Sequence, residues 1–345
     1  MGEIGGIYEV GIGTRDSDSM LAYWEQFGYH AIERGSLGAE QAETLYGVRS
    51  QLSSIRLHHQ DCDHGLIRVM VWDQPLNEGL GLCQMRTLGN RWGAILTEDV
   101  LGIANHAELA KAEGQEIYFS GPMWDVIYNT DQKFQPFASQ PRGVRELMLI
   151  RPQTRQFLFQ RYNYQLPDYG QINPSAPLLS SQFTHVGIII QDDSNQVLNF
   201  YDQVLGLLRF NEEEWVSTYE ETLSGREIFQ IGPGEKYYTA NFDDPRSSNQ
   251  DLQKVRSGRL KVVRYPEVLP VEDLHELSRP GSLGFSLYTY LVRDIDDYYR
   301  RVDQSSAQKL TPVMVNEFGE RSFSFIAPDR YFWTLVEKPK KNFES

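Results

Sequence analysis

Only two cysteines, Cys62 and Cys83, occur in the 345 residues. They are too few and too far apart for a disulfide framework or a CxxC metal knot, and they suggest a reducing cytoplasm. No apolar run approaches the roughly 20 residues that a membrane-spanning helix needs. The opening MGEIGGIYEV has no basic stretch followed by an apolar core, so it does not read as a secretory leader. Positive charge is in deficit, with 33 Lys and Arg against 47 Asp and Glu and a net charge of −14. No basic run offsets that balance, and the phosphates of a nucleic acid would be repelled. Neither nucleic acid nor membrane is therefore an expected partner. A content of 40% hydrophobic and 23% charged residues fits an ordinary globular chain, and the length suggests two or more domains.

The chain repeats itself. YEVGIGTRDSDSMLAYWEQFGY from Tyr8 resembles THVGIIIQDDSNQVLNFYDQVLGL from Thr184, with Gly11 matching Gly187 and Asp16 matching Asp192. GVRELMLIRPQTRQFLFQRY from Gly143 resembles GERSFSFIAPDRYFWTLVEK from Gly319 at the same offset, with Pro152 matching Pro328. GLIRVMVWDQP from Gly65 resembles GRLKVVRYPEV from Gly258. Between the halves, residues 163–181 contain three prolines and no periodicity, and read as a linker.

Each half contains two units, and each unit opens on a strand followed by an amphipathic helix and three strands. In the third unit Val186, Ile188 and Ile190 alternate with His185, Gly187 and Ile189, which is strand period. Asp193 or Ser194 is placed to cap the next helix, where Val197, Tyr201 and Val204 recur at helical spacing. Met20, Trp24 and Phe27 do the same in the first unit. The expectation is an α+β chain of four βαβββ modules in two pairs. An N-terminal pair, 1–162 (about 5–75 and 88–162), is followed by the linker 163–181. A C-terminal pair, 182–345 (about 182–268 and 282–340), completes the chain.

THVGIIIQDDSNQVLNFYDQVLGL resembles the opening strand and helix of the vicinal oxygen chelate superfamily, and FIAPDRYFWTLVE resembles its closing turn and last strand. That superfamily includes glyoxalases, extradiol dioxygenases and bleomycin-resistance proteins. The resemblance covers nearly the whole chain. It implies that each pair of modules forms a curved mixed sheet around a substrate-binding cup. It also implies metal ligands on first strands (His, Gln or Glu) and on last strands (Glu).

Residue by residue, those ligand positions are poorly filled. His185 stands at the first-strand position of unit three, but the match in unit four is near Leu287, and Thr334 and Lys261 occupy last-strand positions. In the first half the corresponding residues are Glu9, Arg91, Leu158 and Arg68. A divalent ion needs two or three converging donors, and a cation beside it is unfavourable. Both metal sites are read as lost. No cofactor is expected; the alternative is a divalent metal (Fe, Mn or Zn), with His185 its first ligand. HHQDCDH, residues 58–64, is read as a hairpin turn, because His58 and His59 point to opposite faces.

Strand alternation places Glu9, Arg68 and Trp72 in the first cup, with a Glu9–Arg68 ion pair as the simplest reading. It places His185, Lys261, Tyr265 and Tyr288 or Tyr290 in the second, and Thr334 joins the substrate-binding set. His185, Lys261 and Tyr288 are the candidate catalytic residues: an acid or base near neutrality, a cation to stabilise an enolate or phenolate, and a phenol. The reading is a metal-free lyase, isomerase or cyclase acting on an oxygenated aromatic or polyketide-like substrate. An extradiol-type dioxygenase and a non-catalytic binding or resistance protein are the alternatives. The expected partners are a small organic molecule and, as an open option, a second copy of the chain. The polar insertion 243–258 is read as a lid over the second cup or a plain solvated loop.

Overall fold

The computed structural model describes residues 4–128, 142–191, 195–210, 216–219, 222–248 and 250–337. Unit one comprises β1 (Ile4–Thr14), α1 (Ser17–Gln26), β2 (Tyr29–Leu37), α2 (Ala39–Tyr46), β3 (Leu52–His59) and β4 (Leu66–Trp72). After β5 (Thr87–Leu88), unit two runs through β6 (Arg91–Thr97), α3 (Val100–Ala112), β7 (Tyr118–Phe119), β8 (Met123–Tyr128), β9 (Arg142–Arg151) and β10 (Thr154–Tyr162). Unit three holds β11 (Ser180–Ile190), α4 (Asn195–Asn199) with a π-helical continuation (Phe200–Val204), β12 (Leu208–Arg209), β13 (Val216–Tyr219), α5 (Leu223–Glu227), β14 (Lys236–Asp243) and β15 (Arg259–Arg264). After β16 (Glu272–Asp273), unit four holds β17 (Gly284–Val292), α6 (Ile295–Asp303), β18 (Met314–Val315), β19 (Arg321–Ile326) and β20 (Phe332–Glu337).

Local chemistry sets the helix starts. Asp16, Asp99 and Asp294 each accept a hydrogen bond from a backbone N–H three residues on, at 3.0, 2.8 and 3.0 Å, which satisfies a donor the helix cannot. The expected cap at Asp193 or Ser194 lies outside the described residues. Met20 and Trp24 of α1, and Ile295, Tyr298 and Val302 of α6, bury the faces their spacing sets out.

The two-pair architecture is present, but the partners are not the expected ones. One sheet runs β18-β19-β20-β17-β1-β4-β3-β2 and joins unit four to unit one. The other runs β12-β14-β15-β11-β6-β10-β9-β7, with β13 on β14 and β8 on β9, and joins unit three to unit two. The seams are antiparallel pairings of first strands: Gly11 lies opposite Leu287 and Gly187 opposite Trp92. Sequence repetition locates the units but is silent about which first strands meet. All four units also share one apolar core, with Ile12 and Val69, Ile95 and Leu158, Val186 and Ile188, and Tyr288 and Trp333 among its members.

This pairing moves two candidate residues. Tyr288 and Tyr290 belong to the first sheet and point into the shared core, not into the second cup. The Tyr288 hydroxyl lies 2.8 Å from the Trp92 carbonyl oxygen and 3.0 Å from that of Gly187, so it fastens the first sheet to the seam of the second. Tyr288→Phe should therefore cost about 1 kcal/mol of stability in denaturant titration, the net worth of a buried hydrogen bond, and leave ligand binding unchanged.

The insertion 243–258 is stitched to unit one. The Gly6 N–H donates to Asp244 Oδ2 at 3.0 Å, the Ile7 N–H to the Gly258 carbonyl at 2.9 Å, and His64 Nε2 lies 2.5 Å from Ser257 Oγ. These bonds hold it at the join between the sheets rather than as a free lid. HHQDCDH is the expected turn between β3 and β4, closed by Gly65 at φ +67°.

Candidate functional site

The first cup is filled by its own side chains. On β1, β3 and β4 the residues Glu9, Arg56 and Arg68 face the same way and are almost entirely excluded from solvent. Arg56 bonds Glu9 at 2.6 Å, Glu320 at 2.7 Å and Glu33 at 2.6 Å. Arg68 bonds the other oxygen of Glu9, the Tyr46 hydroxyl at 2.7 Å and Glu317 at 3.3 Å. Thr289 Oγ1 donates to Glu9 at 3.0 Å and Ser54 Oγ to Glu317 at 2.8 Å, while the Phe318 ring covers Arg56 at 4.0 Å. Burial alone would raise the Glu9 carboxyl, but the two guanidiniums outweigh it and hold it at about 2. The expected Glu9–Arg68 pair is present inside this larger network. Trp72 packs beside Tyr46, with ring centroids 6.1 Å apart. Thr334 is buried and shares a 2.7 Å hydrogen bond with Ser324. These residues form a buried network that is almost entirely excluded from solvent.

The second cup keeps its reactive groups within reach of solvent. The parallel register of β11 and β15 puts His185 opposite Arg259 and Gly187 opposite Lys261, so alternation delivers His185 and Lys261 to one face. Across the seam Trp92 sits against Gly187, where a Cβ would lie only 2.0 Å from the indole. The glycine is what lets that ring lie flat on the floor. Phe157 and His185 stand 5.4 and 5.7 Å from Trp92, and Phe159 and Tyr169 lie 5.8 and 6.0 Å from His185. Phe229 and Tyr237 close the far wall, with centroids 4.8 Å apart. Tyr265 is part of that wall, but its hydroxyl is spent on the Phe229 carbonyl at 2.6 Å.

Glu146 joins the second cup without being marked by any motif in the sequence. It lies on β9 in line with Val144, Met148 and Ile150, which pack in the second cup's apolar cluster. Strand order puts β9 four places from β15; only the curl of the sheet brings Glu146 and Lys261 into electrostatic range. Burial pushes the Glu146 carboxyl up to about 7, with the Lys261 ammonium opposing the rise and Asp125 adding to it. Burial likewise lowers Lys261, with Glu146 pulling it up and Arg259 pushing it down. A single carboxylate in an otherwise apolar alternation, G-V-R-E-L-M-L-I, was the available signal.

His185 has a different role from the expected one. Its Nδ1 lies 3.1 Å from the Tyr169 hydroxyl and 3.0 Å from Thr184 Oγ1. Burial, then the charges of Lys261, Arg259 and Arg161, holds its pKa well below 6.5, so the imidazole is neutral at physiological pH. The folded chain resists a proton that the unfolded chain accepts, so stability falls as pH drops below about 6.5. His59, bonded to the Ser180 carbonyl at 3.0 Å and lowered to about 4, acts in the same direction. His185→Gln should lose less stability than the parent chain between about pH 6.5 and about pH 5 in thermal melts.

The other cations of the second cup are occupied. Arg259 is paired twice with Asp243, at 2.6 and 3.0 Å. Arg161 donates to the Tyr169 carbonyl at 2.5 Å, and Arg155 to Asn90 at 2.9 Å. Lys261 forms no ion pair or hydrogen bond among the described residues, and its Nζ lies 5.6 Å from the Phe229 ring.

The superfamily's ligand positions are poorly filled. In the second cup they carry His185, Lys261, Trp92 and Phe157, with the Glu146 carboxyl elsewhere on the wall. Glu9 in the first is fully engaged by two arginines. Among the described residues no group of three or more His, Cys, Asp or Glu side chains is placed to hold a metal ion. Arg91 and Leu158, matched to ligand positions in the sequence, point away from the cup: Arg91 lies over the Tyr288 and Tyr331 rings, and Leu158 is in the shared core. Among the described residues no helix is long and apolar enough to cross a membrane.

No protein-family model and no curated protein matches the chain. Solved structures do. Glyoxalase I from Zea mays is similar with a TM-score of 0.53 and 13% identity, over 96% of this chain and 92% of that one. A putative dioxygenase from Bacillus subtilis is similar with a TM-score of 0.55 and 9% identity, over 99% and 87%. At such identities the likeness establishes a fold, that of the glyoxalases and dioxygenases of the vicinal oxygen chelate group, and leaves the chemistry to the side chains.

Proposed function

We propose that this chain, built on the glyoxalase and dioxygenase fold, is a small-molecule enzyme that moves a proton on a carbonyl-bearing organic substrate in its second cup. The reaction class is isomerase, lyase or cyclase. The observation that carries the reading is Glu146 within electrostatic range of Lys261 in an aromatic cup, with the carboxyl poised near neutrality and the lysine in no salt bridge or hydrogen bond among the described residues. In this reading Glu146 removes a proton next to the carbonyl, and Lys261 stabilises the oxygen charge that develops. His185, neutral and held through Nδ1, offers its other ring nitrogen to the substrate. Trp92, Phe157 and Phe229 supply flat walls for a planar molecule. The extradiol alternative would require donors that these positions do not carry.

The test is exchange of α-protons for deuterium in a panel of 2-oxo acids, phenylpyruvate among them, followed by NMR in D₂O with and without chelator. Enzyme-dependent exchange that survives chelation supports the reading. Binding without exchange would leave a non-catalytic binding protein, and exchange that needs an added metal would overturn the proposed mechanism.

A further inference from the structure

We propose that Lys261 is a covalent nucleophile, forming a Schiff base with an aldehyde or ketone substrate in the second cup. This rests on the proton-transfer reading of that cup and gives it a substrate class.

Three features of the structure support it. Lys261 makes no salt bridge or hydrogen bond among the described residues and has only a longer-range interaction with Glu146, whereas Arg259, Arg161 and Arg155 are each fixed by a carboxylate, a carbonyl or an amide. A lysine meant only as a structural charge would be expected to share in such pairing; a nucleophile must keep its nitrogen free. Burial disfavours its ammonium form and the Arg259 charge adds to this, against the opposing pull of Glu146, so the free amine is favoured relative to an exposed lysine. Finally, Trp92 is fully buried and its indole N–H has no partner among the described residues, although it lies on the cup floor beside Gly187. A buried donor without an acceptor is costly, and an oxygen of a bound substrate would satisfy it.

The chemistry balances without an added oxidant or metal. The Lys261 nitrogen lone pair attacks the carbonyl carbon, and the C=O π electrons move to oxygen. A proton passes from nitrogen to that oxygen to give a neutral carbinolamine. Protonated Glu146 donates to the hydroxyl, the C–O bond breaks, water leaves, and the nitrogen lone pair closes the C=N bond as an iminium. The Glu146 carboxylate then takes the adjacent C–H proton, giving an enamine and restoring the acid. Reprotonation of that same carbon by Glu146 restores the iminium, and hydrolysis by the earlier steps in reverse frees Lys261 and a carbonyl compound whose α-hydrogen has exchanged.

The experiment uses the smallest carbonyl. The whole chain is treated at neutral pH with limiting ¹³C-formaldehyde and dimethylamine–borane, and lysine methylation is mapped by peptide mass spectrometry over time. Lys261 should be labelled before the surface lysines, by roughly tenfold for each unit its pKa lies below theirs. The label should slow in Glu146→Gln while other lysines are unaffected. Labelling of Lys261 no faster than that of surface lysines would overturn the proposal. A second arm uses phenylpyruvate with cyanoborohydride, with binding followed by tryptophan fluorescence. An adduct on Lys261 that is absent from Lys261→Met supports the imine. Quenching without an adduct sinks the imine and spares the proton-transfer site, while the absence of both counts against both.

Discussion

Arg68→Ala is expected to lower the unfolding free energy by about 3–5 kcal/mol, the typical cost of breaking a buried ion pair by removing one partner. Arg68 and Glu9 are fully buried, and Arg68 also serves Tyr46 and Glu317. Removing it leaves Glu9 with Arg56 and the Thr289 hydroxyl, and leaves Glu317 with the Ser54 and Tyr46 hydroxyls. The double replacement Arg68→Met with Glu9→Leu should cost much less, because it removes both charges that must be desolvated and keeps the volume. Chemical denaturation of the two variants measures the difference. A loss below about 1 kcal/mol in Arg68→Ala, the scale of a surface pair, would mean that water reaches the first cup. Ligand binding in the second cup should be unchanged in both.

Glu146→Gln is expected to slow α-proton exchange by about 10²–10⁴-fold, the usual contribution of a positioned acid or base. The amide keeps the shape of the side chain but can neither take nor return the proton. The same substitution carries a stability signature whose sign follows from the shift. In the folded chain Glu146 holds its proton up to about pH 7, whereas the unfolded carboxyl releases it near 4.5. Between those values the folded state binds the extra proton, so stability falls as pH rises through the window. Glu146→Gln should lack that fall, and thermal melts on either side of the window would detect it.

Much of the architecture was legible because repeats and alternation are local properties of a chain. The offset between Gly11 and Gly187 located the units, and period-two alternation put His185 with Lys261 and Glu9 with Arg68. The pairing of units was not legible. Whether β1 joins β6 or β17 is decided by contacts among strands hundreds of residues apart, and the two choices share the same pattern. That error carried Tyr288 and Tyr290 into the wrong cup. In β17 it is Leu287 and Thr289 that face the first cup, while the tyrosines face the core. Glu146 escaped notice for a related reason. Its partner Lys261 lies on another unit, and no sequence spacing encodes a meeting produced by the curl of a sheet.

His185 illustrates a different limit. Its residue type suggests a group titrating near neutrality, yet burial among three cations keeps it neutral. The group with the useful affinity for a proton is a carboxyl whose ordinary value lies far lower. Environment, which only the fold supplies, has exchanged the two roles.

The proposed function rests on the proton affinity of one side chain. NMR titration of the chain carrying ¹³C-labelled glutamate should show one carboxyl resonance with a midpoint at about pH 7, absent from Glu146→Gln. A Glu146 midpoint near the ordinary 4.5 would contradict it.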